Sequence, residues 1–320
     1  MQYALVVLLC TTAHAQTAFD PLAISVGARA LGMGKAYVAV AEEGDTIFTN
    51  PAGLGEIDSF QFSSMSANIL EDVNYTVLGG VYPLGARSAV GLGYAAASVS
   101  GIELRDGSGT YLKRSNFTNS VLLASYGRKL SEKLSLGINL KYFSQNGSEI
   151  EDGDGTGMNL DIGVLQKGLG WFSLGAVGKN ILRSGKIRYK NGEEEELPLI
   201  VKIGTRMHVL GEEFEAAFVS PLKLIAVADA DLRLQGSKPT TTHTGLELSL
   251  SPNLSLRAGL DQDELTGGVS LRFAGLGFHY AYHPYGETSQ NTTHYFSISL
   301  DERGWPYEGP PEIFLGSRPQ

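Results

Sequence analysis

The feature that most constrains this chain is a period of two. Leu134, Leu136, Ile138 and Leu140 alternate with Ser135, Gly137, Asn139 and Lys141. Leu254, Leu256, Ala258 and Leu260 alternate with Ser255, Arg257, Gly259 and Asp261, and Val269, Leu271 and Phe273 with Gly268, Ser270 and Arg272. Successive side chains of a strand point to opposite faces, so each segment is a strand with one apolar and one polar face. The polar faces carry charge in mid-strand, at Lys202, Arg206, Asp229, Asp231, Arg233, Glu247 and Arg272. A soluble sandwich would turn these charges to water. A membrane barrel would turn them to its lumen and give the apolar faces to lipid.

The connections separate the two architectures. Strands are expected near 59–69, 74–83, 87–99, 117–128, 133–145, 156–167, 170–179, 197–210, 222–235, 241–251, 253–262, 264–274, 275–285 and 292–301. Their number is even, and most are long enough to cross a bilayer at a tilt. One set of connections is short: 83–87, 128–133, 167–170, 251–253 and 274–275. The other set is mostly longer: 100–116, 146–155, 180–196, 236–240 and 286–291. Short turns at one end and long loops at the other is the outer-membrane pattern. The count takes 211–221 as a turn, although Phe214 to Val219 would also fit a strand. The long loops hold the acidic residues Glu149, Glu151, Asp152, Asp154 and Glu193 to Glu196, and the short turns hold Arg87, Arg128, Lys129, Lys133 and Lys167. Tyr82, Tyr142, Phe143, Trp171, Tyr282 and Tyr285 fall near strand ends, where an interfacial girdle would place them.

The expected fold class is therefore all-β, a transmembrane antiparallel β-barrel of about fourteen strands. A mean hydropathy near zero, with no long apolar run after the N-terminus, excludes a helical membrane protein. A net charge of −9 argues against a nucleic-acid partner. Residues 1–15 read as a secretory signal, with Ala13-His14-Ala15 as the cleavage site. Cys10 is the only cysteine, so the mature chain has no thiol chemistry. The organisation expected is signal 1–15, an N-terminal plug 16–57, the barrel 58–301 and a Pro-rich periplasmic tail 302–320.

Residues 26–54 break the strand pattern. Gly27, Ala28, Ala30, Gly32, Gly34 and Ala36 allow close backbone approach, and Pro51 ends any helix at Asn50. Gly32-Met33-Gly34 is no nucleotide loop: Tyr37 stands where a third Gly would be, and no βαβ unit surrounds it. The run Ala28-Arg29-Ala30-Leu31-Gly32-Met33-Gly34-Lys35-Ala36, then Asp45, then Asn50-Pro51-Ala52-Gly53-Leu54 resembles the N-terminal signature of PorV/PorQ-type outer-membrane proteins, within the wider FadL-like (long-chain fatty acid transporter) group. The resemblance implies that this segment plugs a 14-stranded barrel in the bacterial outer membrane. Arg29, Gly32, Met33, Gly34, Asp45, Asn50, Pro51, Ala52 and Gly53 are the plug-motif residues, with Arg29, Asp45 and Asn50 expected to pin the plug to the wall.

Chemistry beyond that is sparse. His279 and His283 lie four apart on one strand with His294 nearby, and read as lumen polar residues rather than metal ligands. Asp152-Gly153-Asp154-Gly155 with Glu149 and Glu151 lacks the spacing of a calcium loop, and Glu193 to Glu196 reads as a solubilising loop. No nucleophile, zinc-protease or P-loop motif is present, so no enzyme, cofactor or metal is expected. The PorV/PorQ resemblance implies a part in type IX-like protein secretion or surface attachment, gripping secreted cargo or secretion-system proteins through extracellular loops. The wider FadL-like group implies uptake of a hydrophobic small molecule, with Leu31, Met33, Tyr37, Ile47 and Phe48 as candidate contacts. A soluble secreted structural β-protein is the third alternative. The first two readings share outer-membrane lipid as a partner.

Overall fold

The alternating segments pair into one continuous antiparallel sheet. The computed structural model describes residues 19–69, 72–147, 153–211, 222–234, 240–284 and 292–304. The first strands are β1 (Gln61–Ile69), β2 (Val73–Pro83), β3 (Ser88–Arg105), β4 (Tyr111–Lys129), β5 (Leu134–Gly147), β6 (Gly155–Gln166) and β7 (Phe172–Lys179). A small hairpin follows, β8 (Lys186–Tyr189) and β9 (Glu194–Glu196). The remainder are β10 (Ile200–Leu210), β11 (Lys223–Arg233), β12 (Thr241–Ser251), β13 (Leu254–Asp261), β14 (Glu264–Phe273), β15 (Leu276–Pro284) and β16 (Thr292–Asp301). Each barrel strand pairs with its neighbour, β7 pairs with β10, and β1 pairs with β16, which closes the sheet. Of the 16 strands, β8 and β9 form a side hairpin on β6, which leaves a closed barrel of 14. Closure matters because an open edge would leave backbone groups unpaired in hydrocarbon.

The alternation resolves in favour of lipid outside. Along β5, Leu136, Ile138 and Leu140 are exposed, while Ser135, Asn139 and Lys141 are buried in the lumen. The same division puts Leu256 and Leu260 outside and Arg257 and Asp261 inside on β13. Leu92, Leu122, Ile162, Ile203, Leu246, Leu271, Phe278 and Phe296 extend the apolar exterior around the barrel. A soluble sandwich would bury these faces, so the soluble alternative falls. The chain is a bilayer-spanning barrel of the bacterial outer membrane. Tyr82, Tyr142 and Trp171 are exposed as a girdle requires, but Phe143 is not: it follows outward-facing Tyr142 and so points into the lumen, fully buried. His294 likewise lies on the outer face, against Tyr280, away from His279 and His283.

Two long connections are more ordered than the sequence suggests. β3 and β4 run on for 18 and 19 residues, turning the expected 100–116 loop into a projecting hairpin with Asp106 capping its tip. Within 180–196, Glu194 pairs with Lys186 and Arg188, and the Tyr189 hydroxyl donates to Glu195. The acidic run there forms the β9 edge of a hairpin, with Glu193, Glu194 and Glu196 still exposed. Asp154 is held by Lys190 instead of joining a calcium cluster, and Glu149, Glu151 and Asp152 lie outside the described residues. So do the signal 1–15, most of 211–221, Tyr285 and the tail beyond residue 304. Glu302–Gly304, at the start of that tail, form a short 3-10 turn.

Residues 19–57 fill the lumen. Their helical pieces are short: α1 (Ala28–Gly32), α2 (Thr46–Thr49) and 3-10 turns at Pro21–Ile24 and Pro51–Glu56. Met33 caps α1, and Gly34 takes φ +64, which bends the chain back. Asn50 is extended before Pro51, and α2 ends there as the sequence predicts. The plug backbone presses directly on inward-facing wall glycines. A Cβ on Gly137 would lie 2.1 Å from the Pro51 carbonyl carbon, and one on Gly259 would lie 2.4 Å from the Gly34 nitrogen. One side of the plug packs on an apolar inner wall (Tyr75, Val77, Val121, Leu123, Tyr295), and the other meets the charged inner faces of β10–β15.

Gly137→Val places a side chain in the space of Pro51, at a cost of about 1–3 kcal/mol by overpacking. The expected result is a loosened plug in an intact barrel. Planar-bilayer conductance should rise, while the unboiled sample keeps its fast gel mobility.

Candidate functional site

The functional region is the plug, the wall that holds it and the cavities on either side. Its centre is an ion network. Arg29 on α1 donates to Glu247 of β12 through Nε at 2.8 Å and Nη2 at 2.6 Å. Arg257 of β13 also donates to Glu247. Arg29 further reaches Glu42 at 3.2 Å, Glu43 at 3.3 Å and the Tyr37 hydroxyl at 3.4 Å. Glu42 in turn pairs with Arg206 of β10, and Glu43 with Arg272 of β14. Burial alone would push Glu42 up, but Arg206, Arg29 and Lys167 outweigh it and hold the carboxyl at about 2. Glu43 is held down by Arg29 and Arg272 against the same burial. Glu42 and Glu43 therefore stay charged across the physiological range.

Backbone contacts extend the latch. Asp229 of β11 accepts from the Tyr37 and Val38 amides at 2.7 and 2.8 Å. Asn50 donates to the carbonyls of Val38 at 2.9 Å and Val164 at 3.1 Å, and its Oδ1 accepts from Ala52 at 3.1 Å. Gly34 donates to the Thr266 hydroxyl at 3.0 Å. Gly32 and Met33 press against the wall glycines Gly268 and Gly245. Pro51 lies on Gly137, and Ala52 packs with Leu165. Gly53 is required within the plug, since a Cβ there would meet the Thr46 hydroxyl at 2.1 Å. Arg29 and Asn50 thus pin the plug to the wall as the sequence suggests. Asp45 faces both ways: its carboxylate fills the space a Gly27 side chain would need and meets the Ser63 hydroxyl of β1. Burial and the neighbouring Glu43 carboxylate push Asp45 up to about 6.

Two cavities flank this latch. The cavity toward the long loops has a volume of about 350 Å³ and combines apolar Phe19, Leu22, Phe48 and Ile200 with charged Lys179, Lys202, Asp231 and Asp261. The other, of about 390 Å³, lies toward the short turns beside Arg29, Glu42, Arg206 and Glu247. Tyr37 lines the first and touches Arg29, which lines the second. Of the candidate hydrophobic contacts, Tyr37 and Phe48 reach the upper cavity. Leu31, Met33 and Ile47 do not: they are fully buried in plug packing, with Ile47 wedged against Gly79 and Gly91 of the wall. The charged lining was missed. Lys202 and Asp231 are visible as mid-strand charges, but that they pair, at 2.7 Å, follows only from strand register.

Arg29→Met should leave Glu247, Glu42 and Glu43 short of a cation and cost plug docking about 3–5 kcal/mol. The expected readout is a large rise in planar-bilayer conductance with barrel mobility unchanged. Asp45 has the opposite sign. Its folded value lies above its ordinary 3.8, so its contribution is full below about pH 4 and is lost as pH rises through about 6. Conductance should be higher at pH 8 than at pH 5, and Asp45→Asn should flatten that difference.

No family model matches the sequence, and no curated protein sequence matches it. Its fold does have solved relatives. The CymD monoaromatic hydrocarbon channel superposes with a TM-score of 0.59 at 15% identity, over 89% of this chain and 98% of that one. The toluene transporter TbuX of Ralstonia pickettii gives 0.54 at 13% identity, over 86% and 97%. A FadL homologue from Pseudomonas aeruginosa gives 0.53 at 11% identity, over 86% and 98%. At these identities the likeness is one of fold, and the fold shared is that of FadL-type outer-membrane barrels.

Proposed function

We propose that this protein is an outer-membrane channel for a small hydrophobic or amphipathic molecule, gated by its plug. The observation that carries the reading is the placement of two cavities on opposite sides of the Arg29–Tyr37 contact. A solute entering from the long-loop end meets Phe19, Leu22, Phe48 and Ile200, then the latch, then a second chamber. No catalytic step is needed for such passage. The structural relatives, described as hydrocarbon transporters and channels, support this reading. Secretion or surface attachment rests on the plug motif alone and draws no support from those relatives.

The test is uptake of a labelled monoaromatic hydrocarbon by cells expressing the protein, whose outer leaflet slows apolar solutes. Uptake should rise several-fold over cells with an empty vector. Ile200→Asp, which places a charge in the apolar part of the upper cavity, should remove most of the gain. Equal stimulation of a sugar of similar size would make the barrel a general pore. No stimulation of the hydrocarbon would end the transport reading.

A further inference from the structure

Among the described residues, the long-loop end of the lumen holds a side-chain cluster that the plug meets only through Lys35, at Asp261. Asp261 ends β13, Glu264 opens β14 and His283 sits near the end of β15. Each offers one donor atom, and the three atoms lie within 4.8 Å of one another. His283 is fully buried, with Nδ1 against the carbonyl oxygen of Pro284. A carbonyl oxygen only accepts, so Nδ1 carries the proton. Nε2 then points at Asp261 Oδ2, 2.8 Å away. A neutral ring in this tautomer would aim a lone pair at a carboxylate, so the pair is held by a shared proton or by a cation beside both atoms, the place Lys35 takes here. A ring N–H donated to a backbone carbonyl, which leaves the second nitrogen for the ion, is how proteins orient a metal-binding histidine.

The other oxygen of Asp261 faces a second histidine. His243 Nδ1 stands 2.8 Å from Asp261 Oδ1 and pairs with it. Both residues are buried, so this pair is shielded from bulk water and a second histidine stands beside the cluster. The remaining neighbours are Lys35, whose ammonium lies 2.7 Å from Asp261 Oδ2, Asp231, 3.5 Å from His243 Nε2, and the Thr241 hydroxyl. Lys35, Asp231, Thr241, His243, Asp261 and Gln262 all line the upper cavity, so an ion has an entry path.

We propose that Asp261, Glu264 and His283 form a binding site for a zinc-class divalent transition metal at the mouth of the lumen. Imidazole nitrogen plus two carboxylates is a donor set zinc accepts, and Asp261 opens it to the cavity. His243 stands beside the site on the far oxygen of Asp261, and Lys35 is the ammonium that a bound metal displaces. His279 differs: its two nitrogens meet Ser270 at 2.6 Å and Ser299 at 2.7 Å, which satisfies the ring without a metal. The site stands independently of what the channel carries.

The experiment uses the full-length barrel in detergent, purified without a histidine tag and stripped with chelator. Zinc is titrated calorimetrically, and metal retained after desalting is measured by mass spectrometry. The expected result is one zinc per chain. His283→Ala and the near-isosteric Glu264→Gln should each weaken binding at least about tenfold while keeping the fast unboiled gel mobility. His279→Ala should bind as the unmodified protein does. Failure to retain zinc would overturn the proposal. Equal binding by the unmodified protein and a folded Glu264→Gln variant would do the same.

Discussion

Glu247 sits between Arg29 of the plug and Arg257 of the wall, and the rest of the lumen is arranged around that kind of contact. A barrel in lipid must turn its polar face inward, which leaves charges in a confined space with little water. Each needs a partner, because an unpaired buried ion costs several kcal/mol. The wall supplies some partners, as in Lys202–Asp231 and Lys141–Asp161, both at 2.7 Å. The plug supplies others through Arg29, Lys35, Glu42 and Glu43. Plug and barrel therefore neutralise each other, and neither charge set is complete alone.

Size sets the second condition. The plug comes close enough to form these pairs because wall glycines let its backbone lie on the strands without intervening side chains. Gly32, Met33, Gly34 and Ala52 on the plug meet Gly268, Gly245, Gly259 and Gly137 on the wall. The high glycine content, 40 residues, has a mechanical reason here: both partners of a tight interface are stripped to backbone. A latch of this kind is firm but separable, since it is held by ions and hydrogen bonds on one side and packing on the other. That suits a plug standing between two chambers.

How much of this is legible in the sequence varies with the range of the interaction. Strand positions are local, since period two and turn residues depend on near neighbours. All fourteen barrel strands lie where the alternation places them, within a few residues except where β3 and β4 run on into their hairpin. Inside versus outside also follows from alternation once the barrel is chosen, and misses such as Phe143 come from placing an aromatic by its position along the strand rather than by its parity. The plug motif is legible as a run of small residues, with Arg29 and Asn50 as its pins.

Which residues meet across the lumen could not be read the same way. Lys35 and Asp261 are far apart in the chain, as are Arg29 and Glu247, and the pairing depends on the shear of the closed sheet and the path of the plug. The same holds for the gathering of Asp261, Glu264 and His283 from three adjacent strands, and for the cavity lining, which Tyr37 and Phe48 reach while Leu31, Met33 and Ile47 do not. The sequence by itself determined a barrel with charged residues inside and a small-residue plug, because alternation and composition are properties of single segments. Only the tertiary structure decided which charges pair, where the chambers lie and which donors converge, because register and closure bring together residues that no local pattern links.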